Sequence, residues 1–169
     1  FGINTAEYSV SGTVTGNSVH DNTSYGINAV NTLVAQGNTV YGHTGAQGVG
    51  IIVAQNAQAL NNAVYRNTTG ISSGGSALVS GNRVYANTSY GINAGGGRVL
   101  QNWVYSNATG VYARSLQVAN NFIYANTLNG VWVLGGSGTD LSNNTFYQTQ
   151  GTAVRVENSA TTFRLRSNI

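Results

Sequence analysis

The chain has 169 residues, enough for one domain with a buried core, and an unusual composition: 23 Gly, no Pro, Cys or Met, 41% hydrophobic and only 7% charged residues. Disorder needs low hydrophobicity with high charge, collagen needs a Gly period of three with Pro, and a membrane helix needs about 20 consecutive apolar residues, so all three are excluded. The formal charge of +3 is carried by seven arginines strung along the chain, tightening only at Arg155, Arg164 and Arg166; this is too diffuse for nucleic acid and leaves contact with acidic glycans as the electrostatic reading.

From the first residues onward one unit repeats. It opens with G-[IV]-x-x, passes through a variable stretch, and closes with [VLA]-x-x-N-x-[VIF]-Y-x-N. The opening glycines are read at Gly2, Gly26, Gly50, Gly70, Gly91, Gly110, Gly130 and Gly151. The closing asparagines are read at Asn17, Asn38, Asn62, Asn82, Asn102, Asn121, Asn144 and Asn168. Intervals of 19 to 24 residues are too long for a two-strand coil and suit three short strands with three turns.

Within the unit, apolar residues alternate with period two, the signature of strands with one buried face. Ile92 and Ala94 are expected to point inward with Asn93 outward, and Val131 and Val133 inward with Trp132 outward. Ile71, Ile92, Val111 and Val131 should form one buried stack, and Val84, Val104 and Ile123 another. Helix is disfavoured by the abundance of Gly, Asn, Thr and Val. Near-identical units of this length cannot each bury a core alone and must stack. The expected architecture is all-β: a right-handed parallel β-helix of about eight coils, in one domain spanning 1–169, with Asn38, Asn62, Asn82, Asn102, Asn121 and Asn144 forming a ladder of amides at one bend. The bend Asn should tolerate left-handed backbone angles, helped by small residues before it at Gly16, Gly37 and Gly81. A second column is expected five residues on, at Asn22, His43, Asn67, Asn87, Asn107, Asn126 and Thr149, beside a Thr column at Thr23, Thr44, Thr68, Thr88 and Thr127. Phe1 and Ile169 both fall within a coil and no capping segment is evident, so the chain reads as part of a longer solenoid or as a unit that stacks end to end.

The motif N-x-[VI]-Y-x-N, as in Asn82–Asn87 and Asn121–Asn126, together with G-[IV]-x-x, resembles the parallel β-helix repeats of NosD-like and pectate-lyase-like carbohydrate-associated solenoids. A more distant resemblance is to the repeats of mannuronan C5-epimerases. The resemblance covers essentially the whole chain. It implies the fold, a secreted or cell-surface location and an association with polysaccharide, but no single activity, because related solenoids include lyases, hydrolases, epimerases, tailspikes and adhesins.

Chemistry is sparse. Polysaccharide hydrolysis uses two neighbouring carboxylates, and a calcium-dependent lyase several oxygen ligands at one point. The acids are Glu7, Asp21, Asp140 and Glu157, two toward each end of the chain, and are read as solvated turn residues. Val19-His20-Asp21-Asn22 resembles part of the epimerase repeats, yet the Asp-Pro-His-Asp signature is absent. His20 is therefore read as a member of the Tyr column and His43 as a member of the Asn column. No metal or cofactor site is expected. Asn-x-Ser/Thr triplets at Asn22, Asn67, Asn87 and Asn107 match the repeat as well as the glycosylation acceptor. Two aromatic features remain. Tyr41, Tyr65, Tyr85, Tyr105, Tyr124 and Tyr147 form an outward column, either a self-stacked wall or a contact surface. Tyr112 and Trp132 share an outward position in adjacent coils, with Arg114 and Arg155 expected together at a second one. Aromatic faces beside guanidinium groups suit sugar rings and uronate carboxylates. The reading is a non-catalytic structural or carbohydrate-contacting segment, such as an adhesin-like stalk; the alternative is part of a polysaccharide lyase, hydrolase or epimerase whose catalytic residues lie elsewhere.

Overall fold

The computed structural model describes residues 2–5, 11–135, 137–157 and 162–169. Every regular element in them is a strand, and the strands stack into three parallel sheets of eight, eight and seven. Each coil but the last contributes one strand to each sheet; the coil that opens at Tyr90 has strands Tyr90–Ala94, Arg98–Leu100 and Trp103–Tyr105. The result is the right-handed parallel β-helix expected from the repeat, with a first sheet of mainly five-residue strands and second and third sheets of mainly three-residue strands. No helix occurs among the described residues, so none is long and apolar enough to cross a membrane.

The register stacks like on like. Ile71, Ile92, Val111 and Val131 pair in succession, as do Val84, Val104 and Ile123, and all seven are fully buried. Small and β-branched residues dominate because three sheets meet around a narrow core with no room for larger side chains. The opening glycines serve close approach. A Cβ at Gly91 would lie 2.7 Å from the Gly110 carbonyl oxygen and 2.8 Å from the Asn107 amide nitrogen. The last member of this column is Ala153, opposite Gly130, and not Gly151 as the spacing suggested. Gly151 instead takes a left-handed turn at φ 69° in the connection just before the strand Thr152–Val156.

At the bend between the second and third sheets, each asparagine oxygen accepts two hydrogen bonds from the coil before it. For Asn102 these come from the backbone N–H of Asn82 at 2.9 Å and from its amide at 3.0 Å. The same pair recurs from Asn38 on Asn62 to Asn121 on Asn144. The left-handed residue is the one before each of these asparagines: Gly16, Gly37, Asn61, Gly81, Gln101, Asn120 and Asn143. This corrects the expectation that the stacked asparagine itself turns the chain. Its amide must point into the solenoid, so the reversal falls one residue earlier, on the exposed side. At the second bend Asp21, Gly42, Arg66, Ala86, Ser106 and Ala125 play the same part. There the column of amides ends on Gln148, whose side-chain oxygen accepts from the Asn126 N–H at 2.8 Å, and not on Thr149. Glutamine has the reach to enter the column from one position earlier.

His43 occupies the second column, fully buried, as its place in the repeat implied. It interrupts the amide chain: its Nδ1 lies 3.1 Å from the Asn22 N–H donor, and its Nε2 is buried without a hydrogen-bond partner.

Candidate functional site

Two columns of the first sheet's five-residue strands border its outer face, the first of them buried at Thr69, Thr109 and Asn129. One is the strand's first residue: Tyr25, Val49, Thr69, Tyr90, Thr109, Asn129 and Thr152. The other is its fourth: Asn28, Ile52, Ser72, Asn93, Tyr112, Trp132 and Arg155. Together with the connections entering the sheet, these columns form an open groove. It has a volume of about 640 Å³ and is lined by Tyr90, Thr109, Leu128, Asn129, Trp132 and Arg155 among others. A separate hollow of about 260 Å³ lies over the same sheet in earlier coils, between Tyr25, Val49, Ile52 and the turn at Gln47 and Gly48.

Of the four residues singled out from sequence, Trp132 and Arg155 meet inside this groove. Arg155 stands directly opposite Trp132 and thus continues the Tyr112 column, instead of sharing a position with Arg114. With Ala153 and not Gly151 in the glycine column, Arg155 follows that column by two residues, as Trp132 follows Gly130. Its guanidinium carbon lies 4.9 Å from the Trp132 ring centroid, a cation–π distance. Arg155 is also bound to Glu157 at 2.5 Å, so its charge is balanced by a residue just past the strand's end. The Trp132 indole N–H is buried without a partner.

Tyr112 and Trp132 have centroids 5.3 Å apart and planes at 88°. Strand spacing sets the distance, but the edge-to-face packing leaves no flat two-ring surface. Tyr112 does not line the groove. Arg114 lies exposed beside it with two long contacts, to the Leu134 carbonyl at 3.4 Å and the Tyr112 hydroxyl at 3.5 Å. Tyr90 and Leu128 belong to the groove although sequence reasoning passed over them. Tyr90 precedes the opening glycine, and alternation read backward from Ile92 would turn it inward; the half-buried place it takes at the groove comes from the break in alternation at Gly91 and was not readable from period two. Leu128 is 60% exposed on an entering connection whose shape only the fold supplies.

The three described acids do not converge. Asp21 bonds to His20 Nδ1 at 2.9 Å in an early coil, Glu157 to Arg155, and Asp140 to Arg166 at 2.5 Å. Asp140 lies within the strand Ser137–Ser142 and is paired, which corrects its reading as a solvated turn residue. Glu7 lies outside the described residues. No three His, Cys, Asp or Glu residues group as metal ligands among the described residues.

On the third sheet the tyrosine column stacks ring on ring. His20, Tyr41, Tyr65, Tyr85, Tyr105 and Tyr124 follow one another at 4.7–5.0 Å with planes within 13° of parallel. Tyr147 ends the register, 63% exposed. Burial among neighbouring rings, then the Tyr105 phenol, raises the pKa values of Tyr85 and Tyr124 above the ordinary tyrosine value. Arg83 is raised in turn by its hydrogen bond to Tyr105.

The chain is thus a three-sheet right-handed β-helical solenoid with a groove along its first sheet. The chain belongs to the family described as "Right handed beta helix region", whose model matches residues 1–109. No curated protein matches the sequence. Among solved structures, a single-substitution variant of the periplasmic alginate epimerase AlgG matches with a TM-score of 0.70 at 23% identity, covering 93% of this chain and 45% of that one. Unsubstituted AlgG matches with a TM-score of 0.60 at 22% identity, covering 93% and 42%. The A-module of the Azotobacter vinelandii mannuronan C-5 epimerase AlgE6 matches with a TM-score of 0.60 at 17% identity, covering 93% and 57%. At such identities the likeness is one of fold, and the chain spans about half the length of these enzymes.

Proposed function

We propose that this chain is a non-catalytic, polysaccharide-contacting segment of a secreted or cell-surface β-helical protein, holding an extended acidic glycan in the groove of the first sheet. The observation that carries the reading is the junction of Trp132 and Arg155 within that groove, with Tyr90 on its floor. An indole fixed to a strand and capped by a guanidinium loses little freedom when a sugar ring packs against it. Arg114, without an acid partner among the described residues, adds a cation beside Tyr112 on the same face. One solved neighbour is a periplasmic alginate epimerase and another a mannuronan epimerase, both acting on acidic polysaccharides, which supports the ligand class and a location outside the cytoplasm. Separated, ion-paired acids favour binding over turnover.

A second reading is that the segment belongs to a polysaccharide-active enzyme whose catalytic residues lie on other coils; the fold shared with two epimerases favours it. Electrophoresis in gels cast with polygalacturonate or alginate tests the first. The chain should be retarded, Trp132→Ala should weaken the retention by about tenfold in apparent affinity, and added salt should lower it further. Equal migration with and without polymer, or equal retention of Trp132→Ala, would refute the groove. Depolymerisation or epimerisation of either polymer by this chain, lost on Asp140→Asn or Asp21→Asn, would establish the enzyme instead.

A further inference from the structure

The outer face of the third sheet carries an aromatic and cationic platform that the groove does not use. Arg83, Trp103 and Phe122 stand opposite one another on successive strands, with Tyr85, Tyr105 and Tyr124 two residues along. Trp103 is 54% exposed. It is held by an edge contact with Phe122, at 5.9 Å and 89°, and Phe122 leans on Tyr124 at 4.6 Å. Arg83 donates to the Tyr105 hydroxyl at 2.6 Å, and its guanidinium carbon lies 5.4 and 5.8 Å from the Tyr85 and Tyr105 ring centroids. The ion pairs among the described residues engage His20, Arg155 and Arg166, so no acid neutralises Arg83.

We propose that this platform is a second glycan-binding surface, taking an anionic polysaccharide with a sugar ring stacked on Trp103 and a carboxylate or sulfate on Arg83. Three properties lead there. The indole is broadly exposed, yet a strand and a neighbouring ring fix it, so stacking on it costs little entropy. The cation beside it is oriented by a tyrosine hydroxyl and lacks a protein counter-ion, which selects an anionic occupant. The array advances by about 4.8 Å per coil, close to what one pyranose occupies along an extended chain, and offers phenol hydroxyls at the same pitch. The stripe is also narrow: its column continues through Ser18, Thr39, Ala63 and Thr145, small residues that give a protein partner little apolar area to bury. This surface lies on a different sheet from the groove and stands whether or not the groove binds.

The chain contains two tryptophans, one on each surface, which makes the test direct. In Trp132→Phe all indole fluorescence comes from Trp103, and in Trp103→Phe all of it comes from Trp132. Each variant would be titrated with an oligogalacturonate, a heparin-derived oligosaccharide and a neutral cello-oligosaccharide; the first two separate carboxylate from sulfate recognition. The expected result is a saturable change in Trp103 emission with at least one anionic sugar and none with the neutral one. Adding Arg83→Gln should weaken it by about tenfold or more, the usual worth of a charge-assisted hydrogen bond, with circular dichroism unchanged because Arg83 is exposed. Silence of Trp103 toward both anionic sugars would overturn the second surface, even if Trp132 responds. An equal response to the neutral sugar, unaffected by Arg83→Gln, would overturn the anionic assignment.

Discussion

Replacing Asn102 by Ala removes one side chain and disturbs five hydrogen bonds. Its oxygen accepts from the Asn82 backbone N–H and amide, and its own amide donates to the Val79 and Leu100 carbonyls and to the Asn121 oxygen. The site is fully buried, so water cannot readily replace these partners. At a net worth of about 1 kcal/mol each, and with the Asn82 N–H left unpaired, the loss should be roughly 3–5 kcal/mol. That is a large share of the 5–15 kcal/mol typical of a domain. For a chain of this size it corresponds to a fall in Tm on the order of 10 °C. Asn102→Asp would keep the accepting oxygen but lose the donors and bury a charge, and should be no milder. Urea unfolding followed by circular dichroism would measure both variants against the parent. A loss below about 1 kcal/mol for Asn102→Ala would refute the reasoning, since the backbone ladders alone would then hold the bend.

Restoring the interrupted column should work in the opposite direction. His43→Asn replaces a ring with an unpartnered buried nitrogen by an amide able to join Asn22 to Asn67, and should add about 1–2 kcal/mol; destabilisation in the same urea assay would contradict it. Val111→Ala, in the central aliphatic stack, should cost about 1–3 kcal/mol, and a neutral result would mean that the stack closes over the lost methyls. Above pH about 10 the tyrosine column should become a source of instability. Because burial raises Tyr85 and Tyr124, the fold favours the neutral phenols, and their contribution is complete below the free-tyrosine pKa and disappears as pH rises through the folded values. An ultraviolet titration should show part of the tyrosinate signal delayed beyond that of free tyrosine, and the delay should shrink in Tyr85→Phe; a single step at the free value would refute it.

The periodic part of the sequence determined the architecture because stacking places each residue against its counterpart one coil away. Gly91 under Gly110, Asn82 under Asn102 and Val104 under Ile123 are all readable from spacing, and period two sorts inward from outward along each strand. His20 and His43 could likewise be assigned to columns before any contact was known. Where the interval varies, spacing loses its authority. Ala153 took the place read for Gly151 in the glycine column, and this put Arg155 opposite Trp132, a neighbour set by hydrogen-bond register and not by a motif. The bends also needed coordinates. An asparagine tolerates a left-handed angle, but only the inward aim of its amide moves that angle onto the residue before it. Openness is likewise tertiary. Trp132 and Trp103 hold comparable outward positions in sequence, yet Arg155 and the groove partly cover the first, while the flat third sheet leaves the second exposed with Arg83 one coil away. What a side chain faces follows from the repeat, whereas what remains uncovered depends on how the connections between strands fold over the sheets.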